Sequence, residues 1–290
     1  MLDLIVNPSA GKDGKKVKKI LPLVEKRLLE RGIEYVIHAT KMPKQATTLT
    51  QTLIASGATD IVVVGGDGTL HEVINGFSDF ERVNLGIIPC GTGNDFINSI
   101  NLPLDPIKAI DVIIDGNAKY TDFMQMPTVR GLNVIGMGID VDVLRRYSAL
   151  KRKSKFKYTW CLIKTLFKFN YIDFDIEVNG ERISYRSFIA CIANGYRYGG
   201  GIPICPVANS TDNKLDFVAV NELPKLKLIG AFLKLKKGKL LTLPQATHFN
   251  MEEIKVIPTK EYTVNVDGEL YENIPFEVKI VSNTLKIYRP

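Results

Sequence analysis

The stretch Ile61-Val62-Val63-Val64-Gly65-Gly66-Asp67-Gly68-Thr69-Leu70-His71-Glu72-Val73-Ile74 decides how the rest of the chain is read. A β-branched run of strand length gives way to two adjacent glycines, and a helical run follows at once. Adjacent glycines let backbone N–H groups close on an anion, and the N-terminus of the next helix adds its positive dipole. The loop is not of the Walker type, because no G-x-x-x-x-G-K-[ST] exists here. His71 also stands where a dinucleotide fingerprint needs its third glycine. Asp67 is the unusual member. A carboxylate repels a phosphate unless a cation bridges them, so the loop implies Mg²⁺ beside a polyphosphate. The competing reading is a glycine-rich turn whose Asp67 caps the helix.

Working outward, the first 125 or so residues alternate short apolar runs with amphipathic stretches, the βα rhythm of a parallel sheet. Strands are expected at 2–6, 33–38, 60–64 and 85–88. Ligands of such sheets bind at the strands' carboxyl ends. Val17, Ile20, Leu21, Val24 and Leu28 recur at helical spacing, Gly32 should end that helix, and Pro22 should kink it. Two more loops fall at strand ends: Asn7-Pro8-Ser9-Ala10-Gly11, expected to open the first helix, and Pro89-Cys90-Gly91-Thr92-Gly93-Asn94-Asp95. Three glycine-bearing loops on one sheet edge favour a ligand site over chance turns.

After about Phe123 the texture changes to strand-length runs. Asn179-Gly180 and Asp267-Gly268 are hairpin signals, and further strands are expected at 215–220, 254–257, 262–266 and 276–281. The expectation is a doubly wound, Rossmann-like α/β domain over 1–123, followed by a mainly β sandwich over 124–281. Residues 282–290 are a candidate to return to the first domain.

The chain of 290 residues carries a net charge of +7, and that charge is uneven. Between Leu144 and Asn170 there are nine basic residues and no acidic one; between Lys225 and Lys239 there are six lysines and again no acid. The remainder is net acidic. In the first window Phe156, Tyr158, Trp160, Leu162, Ile163, Leu166, Phe167 and Phe169 interleave with the lysines, as an interfacial amphipathic segment would; a solvated helix face is the plainer reading. No known nucleic-acid motif accompanies the charge, so nucleic acid is not expected as a partner. No apolar run is long enough to span a bilayer, and Asp3 stands where a secretory leader needs basic residues. Cys90, Cys161, Cys191 and Cys205 are far apart without a C-x-x-C pair, which argues for a reducing, cytoplasmic setting.

At this point the sequence resembles a known family, the soluble bacterial lipid kinases built on the diacylglycerol kinase catalytic domain. The shared blocks are N-P-S-A-G at 7–11, G-G-D-G-T-L-H-E-V-I-N-G at 65–76 and I-P-C-G-T-G-N-D-F at 88–96. Further along are N-V-I-G-M-G-I-D at 133–140, N-G-x-x-x-G-G-G with a trailing P-x-A at 194–208, and V-D-G-E at 266–269. The resemblance implies a two-domain fold, ATP in the cleft, and phosphoryl transfer to a lipid hydroxyl, with diacylglycerol first among the acceptors.

By the same resemblance Asn7, Pro8, Ser9, Ala10, Gly11, Thr40, Gly66, Asp67, Gly68, Thr69, Leu70, His71, Glu72 and Thr92 are the nucleotide-contacting positions. Asp67, Asp95 and Asp122 would form the magnesium-organising cluster. Asp-Gly alone is an ordinary turn, but the resemblance makes Asp267 and Glu269 candidates for the carboxylate that accepts the hydroxyl proton, with Asp67 the next. Which of the two is the base stays open. The family's D-D-G-x-x-D block reads Thr211-Asp212-Asn213-Lys214-Leu215-Asp216 here. It implies a structural Mg²⁺ on Asp212 and the carbonyls of Asn209 and Lys214, though one carboxylate and the turn glycine are missing. As partners the resemblance implies a lipid substrate and a peripheral place on the anionic inner membrane face; a homodimer is compatible with the sequence. Three alternatives stand beside the diacylglycerol kinase: a kinase of another lipid, phosphatidylglycerol or a sphingoid; NAD kinase, which shares G-G-D-G-T; and a catalytically silent nucleotide-binding membrane-surface protein.

Overall fold

The computed structural model describes residues 1–11, 13–150, 155–166, 168, 170–224 and 227–290. Of the residues singled out above, Lys151, Arg152, Lys153, Phe167, Phe169 and Lys225 lie outside that set. The chain divides into two compact units, Met1–Asp122 with Ser282–Pro290, and Phe123–Val281.

The first unit runs β1 (Leu2–Val6), α1 (Lys15–Glu30), β2 (Tyr35–Ala39), α2 (Gln45–Ala55), β3 (Asp60–Gly65), α3 (Asp67–Gly76), β4 (Asn84–Pro89), α4 (Asp95–Ser99), α5 (Pro106–Ile114) and β5 (Ala118–Tyr120). The second unit runs β6 (Phe123–Gln125), β7 (Arg130–Gly131), β8 (Val134–Gly138), α6 (Ile139–Ser148), α7 (Lys155–Leu166), β9 (Ile172–Val178), β10 (Glu181–Ala193) and β11 (Leu215–Asn221). It continues with α8 (Leu228–Lys236), β12 (Ala246–Met251), β13 (Glu253–Pro258), β14 (Thr263–Val266), β15 (Glu269–Glu272) and β16 (Glu277–Val281). Last, β17 (Lys286–Tyr288) belongs to the first unit.

In the first unit the strand order is β2-β1-β3-β4-β17-β5, parallel from β2 through β17 and antiparallel only at β5. All of β1 is buried, and β3 is buried after its first residue, as strands covered by helices on both faces must be. One face buries Val17, Ile20, Val24 and Leu28 of α1 against Leu4, Val6, Val62 and Val64. The first helix is continuous for 16 residues with Pro22 inside it. It begins later than the N-P-S-A-G loop suggests. Gly11, Asp13 and Gly14 all hold positive φ, and Gly14 caps α1, so a turn separates Gly11 from the helix at Lys15.

The second unit is one antiparallel network in which β10 changes partners along its 13 residues. Residues 181–187 pair with β9, whereas 189–193 lie between β8 and β11. Side-chain alternation then separates two cores. Ala190, Ile192, Phe217 and Ala219 face the interior of the sandwich with Phe174, Ile176 and Val264. Ile189, Cys191, Val218 and Val220 face the opposite side, where α6, α7 and α8 cover them. In the basic windows one apolar face is core: Leu162 and Leu166 on α7, and Leu228, Ala231, Phe232 and Leu235 on α8. Phe156, Trp160, Ile163, Ile229 and Leu233 are exposed.

Candidate active site

Parallel strands bring the ends of β1, β3 and β4 to one edge of the first sheet, and the three glycine-bearing loops meet there backbone to backbone. Cys90 and Gly91 both donate their N–H to the Gly65 carbonyl, at 2.7 and 3.1 Å. A Cβ on Gly66 would lie 2.7 Å from the Gly91 Cα, so glycine is required by contact and not by torsion. Asn7 ties in the first loop: its Nδ2 donates to Thr69 Oγ1 at 3.0 Å, and its Oδ1 accepts the Ser9 N–H. The first hydrogen bond of α3 is Leu70 N–H to the Gly66 carbonyl. The N–H groups of Asp67, Gly68 and Thr69 stand outside that ladder at the positive end of the helix, which suits a phosphate.

Asp67 does not cap the helix it begins. Its Oδ2 accepts the Asn94 N–H at 2.7 Å and its Oδ1 the Asp95 N–H at 2.8 Å, so it caps α4 in the neighbouring loop. Burial, then the nearby Asp95 charge, pushes the Asp67 carboxyl up to about 6, against the opposing effect of the Asn94, Asp95 and Phe96 N–H groups. Two carboxylates that repel at close quarters are relieved by a hard cation, so this oxygen donor set fits Mg²⁺. Asp122, by contrast, is buried where it feels the charge of Arg289.

The other nucleotide candidates separate by environment. Gly68 and Thr92 are exposed at the loop edge, as are Pro8 and Ser9; Ala10, Gly11 and Thr40 are half-buried. Leu70 and His71 are buried beneath the loop. The Glu72 carboxylate is engaged elsewhere, accepting the Lys44 and Ala46 N–H groups at the start of α2. Lys16, which sequence reasoning passed over, reaches from the first turn of α1 to the Gly91 carbonyl at 3.4 Å. It brings a cation to the loop edge; its place one helical turn beyond N-P-S-A-G was the available signal.

In the second unit Val266-Asp267-Gly268-Glu269 forms a two-residue hairpin, with φ 53° at Asp267 and 101° at Gly268. The Asp267 carboxylate accepts three main-chain N–H groups: Leu132 at 2.5 Å, Asn133 at 2.9 Å and Val134 at 3.0 Å. It clamps the hairpin to the start of β8. Glu269 is exposed at the head of β15. The two carboxylates thus have different surroundings.

At the Asp212 turn, Asp212 Oδ1 accepts the Lys214 N–H at 3.1 Å, and Thr211 Oγ1 donates to Asn209 Oδ1 at 2.9 Å. Asn213 supplies φ 61°, the conformation the family's glycine would otherwise provide. Asparagine tolerates that conformation, and the oxygens of the turn are hard donors fit for Mg²⁺.

Comparison with known proteins gives concordant results. Residues 2–126 match the family described as diacylglycerol kinase catalytic domain, and residues 133–289 match the YegS C-terminal NAD kinase beta sandwich-like domain. A diacylglycerol kinase of Staphylococcus carnosus is 26% identical over 99% of this chain and 94% of its own. One from Mycobacterium tuberculosis is 27% identical with the same coverage. Among solved structures, a candidate diacylglycerol kinase from Bacillus anthracis aligns over 100% of this chain and 96% of its own, with TM-score 0.82 and 25% identity.

Proposed function

Because the chain belongs to the bacterial lipid kinases built on the diacylglycerol kinase catalytic domain, we propose that it transfers the γ-phosphate of ATP, with Mg²⁺, to the hydroxyl of diacylglycerol. One observation carries this reading: Asp67 locks two glycine loops together while leaving the N-terminus of α3 uncommitted at the sheet edge. The loops bind phosphate through main-chain N–H groups, with Lys16 adding positive charge beside Gly91. Magnesium, when bound, neutralises phosphate charge beside Asp67 and Asp95.

Glu269 accepts the proton of the lipid hydroxyl as the P–O bond forms, because its carboxylate is exposed whereas that of Asp267 already serves three N–H groups. Asp267 is a positioning residue that fixes the hairpin presenting Glu269. Asp212 and the carbonyls of Asn209 and Lys214 would hold a second, structural Mg²⁺ at the Asp212 turn.

Among the described residues no helix is long and apolar enough to cross a membrane. The enzyme reaches its lipid from the cytoplasmic side as a peripheral protein. Transfer of labelled γ-phosphate from ATP to a panel of lipids in mixed micelles, with NAD included, tests the proposal. Label in phosphatidic acid supports it. Label in phosphatidylglycerol or a sphingoid lipid would move the acceptor, label in NAD alone would overturn the lipid reading, and no transfer would leave a nucleotide-binding protein.

A further inference from the structure

The helix-covered face of the second sheet holds a cluster that phosphoryl transfer does not use. Asp216 on β11 pairs in register with Asn250 on β12, and Val218 with His248, so Asp216, Asn250 and His248 share one face. Cys205 joins them from the loop that follows β10 and lies in the same core as Val218 and Val220. A Cys205 sulfur, an Asp216 oxygen and a His248 nitrogen all lie within 4.8 Å of one another.

Asp216 and Cys205 are buried, while the His248 side chain keeps 27% of its surface. Asp216 Oδ1 accepts from His248 Nε2 at 2.6 Å and from Asn250 Nδ2 at 3.0 Å. Asp216 Oδ2 is buried with no hydrogen-bond partner. A buried carboxylate oxygen without a partner is costly, and the nearest groups it could share a cation with are a thiol and an imidazole.

We propose that Cys205, Asp216 and His248 form a zinc site, distinct from the magnesium positions of the kinase. The donor types select the metal: sulfur with imidazole and one carboxylate suits Zn²⁺, whereas Mg²⁺ takes oxygen ligands and is held poorly by a thiol. Charge closes as well, since a thiolate and a carboxylate balance a divalent ion. Burial, then the Asp216 charge, pushes the free Cys205 thiol up to about 12. Metal entry displaces that proton to solvent as the Zn–S bond forms. His248 exchanges its hydrogen bond to Asp216 Oδ1 for a bond from a ring nitrogen to the ion, the neutral imidazole keeping its one proton on the other nitrogen. Bond lengths of 2.0 to 2.3 Å put tetrahedral ligand atoms roughly 3.5 Å apart, a spacing within the 4.8 Å that spans these atoms.

Asn250 holds the first carboxylate oxygen, leaving Oδ2 for the ion, and a water on the side where His248 meets solvent completes four-coordination. The metal would pin the glycine-rich loop, through Cys205, to β11 and β12. The Asp212 turn offers oxygens alone, so the two sites take different ions.

The test is a Co²⁺ titration of the full chain, stripped of metal and then held in excess Mg²⁺ so that oxygen sites are filled. The proposal expects a near-ultraviolet thiolate-to-cobalt band with visible absorption of a tetrahedral ion, saturating at one equivalent and abolished by Zn²⁺. Cys205→Ser should remove the ultraviolet band. His248→Gln, at a partly exposed position that does not threaten the fold, should weaken Co²⁺ binding at least tenfold, and the rise in melting temperature that Zn²⁺ gives the parent should vanish. Absence of the band in the parent, or its survival undiminished in either variant, would overturn the site.

Discussion

At the scale of single residues, the proposed roles of the hairpin carboxylates predict different outcomes for Asp267 and Glu269. Glu269→Gln should lower kcat by 100-fold or more with little change in stability, because an exposed side chain is altered. Asp267→Asn should cost about 1–3 kcal/mol, since the amide presents only one acceptor to a carboxylate site receiving three N–H groups. Urea unfolding beside steady-state kinetics separates the two, and an unchanged kcat in Glu269→Gln would move the base elsewhere. Asp67→Asn would not isolate a magnesium role, because its NH₂ would meet the Asn94 or Asp95 N–H.

Asp140 carries a pH dependence of its own. Burial pushes its carboxyl up to about 7, against the hydrogen bond from Asn265 at 3.1 Å. The folded chain keeps this proton through a range in which the unfolded chain has lost it. Stability should therefore fall as pH rises from about 4 to 7, by at most about 1.4 kcal/mol per pH unit, and level off above that. Asp140→Asn should flatten that slope relative to the parent in urea unfolding at pH 5, 6, 7 and 8; parallel curves would contradict the assignment.

At the scale of elements, glycines that look alike in the sequence predict opposite outcomes. Gly66→Ala puts a Cβ 2.7 Å from the Gly91 Cα, a backbone atom that cannot step aside. At φ −118° the alanine itself is unstrained, so the clash alone acts. It should cost about 1–3 kcal/mol and weaken ATP binding at least tenfold by calorimetry. Gly230→Ala, on α8 with nothing within 4 Å of its added Cβ, should leave ATP binding unchanged and raise stability by up to about 1 kcal/mol. Equal effects would show that the loops do not depend on that contact. What was legible in the sequence follows the same division between local and distant causes. Asn179-Gly180 and Asp267-Gly268 became two-residue hairpins because the residue types that tolerate positive φ are themselves the signal. The strand ends bearing the loops were legible from periodicity: β1 ends at Val6 as expected, and β3 and β4 each run one residue further. The bonds from Asp67 to Asn94 and Asp95, and from Asp267 to Leu132, Asn133 and Val134, join residues distant in sequence that carry no pairwise pattern. Nor does periodicity say which apolar face of α7 meets the sheet, and this is why Leu162 and Leu166 read like Trp160 and Ile163 until the fold separated them.

At the scale of the whole molecule, the uneven charge predicts which surface an anionic bilayer would meet. The basic residues concentrated in the two windows leave the rest of the chain net acidic, so attraction to an anionic bilayer would be local to those windows. On α7 the outward residues are Phe156, Trp160 and Ile163, with the Lys164 ammonium 3.7 Å from the Trp160 ring centre. Apolar side chains that the core leaves outside, set among cations, are what a headgroup region accommodates. Each basic residue near an anionic surface adds about 1 kcal/mol, so replacing Lys157, Lys164 and Lys168 with Gln should weaken vesicle binding by roughly a hundredfold if all three engage. The attraction is screened over about 8 Å at physiological ionic strength, so binding of the parent should fall as salt rises, while Trp160→Ala should weaken binding at high salt as well. On the proposed mechanism none of these residues takes part in phosphoryl transfer, so turnover on a short-chain soluble acceptor should be spared while turnover on vesicle-borne lipid slows. Sedimentation with anionic and neutral vesicles, paired with both assays, checks this. Equal binding to the two vesicles, or equal loss on both acceptors, would make the window a solvated face of the fold, and the lipid would then have to reach the enzyme by another surface.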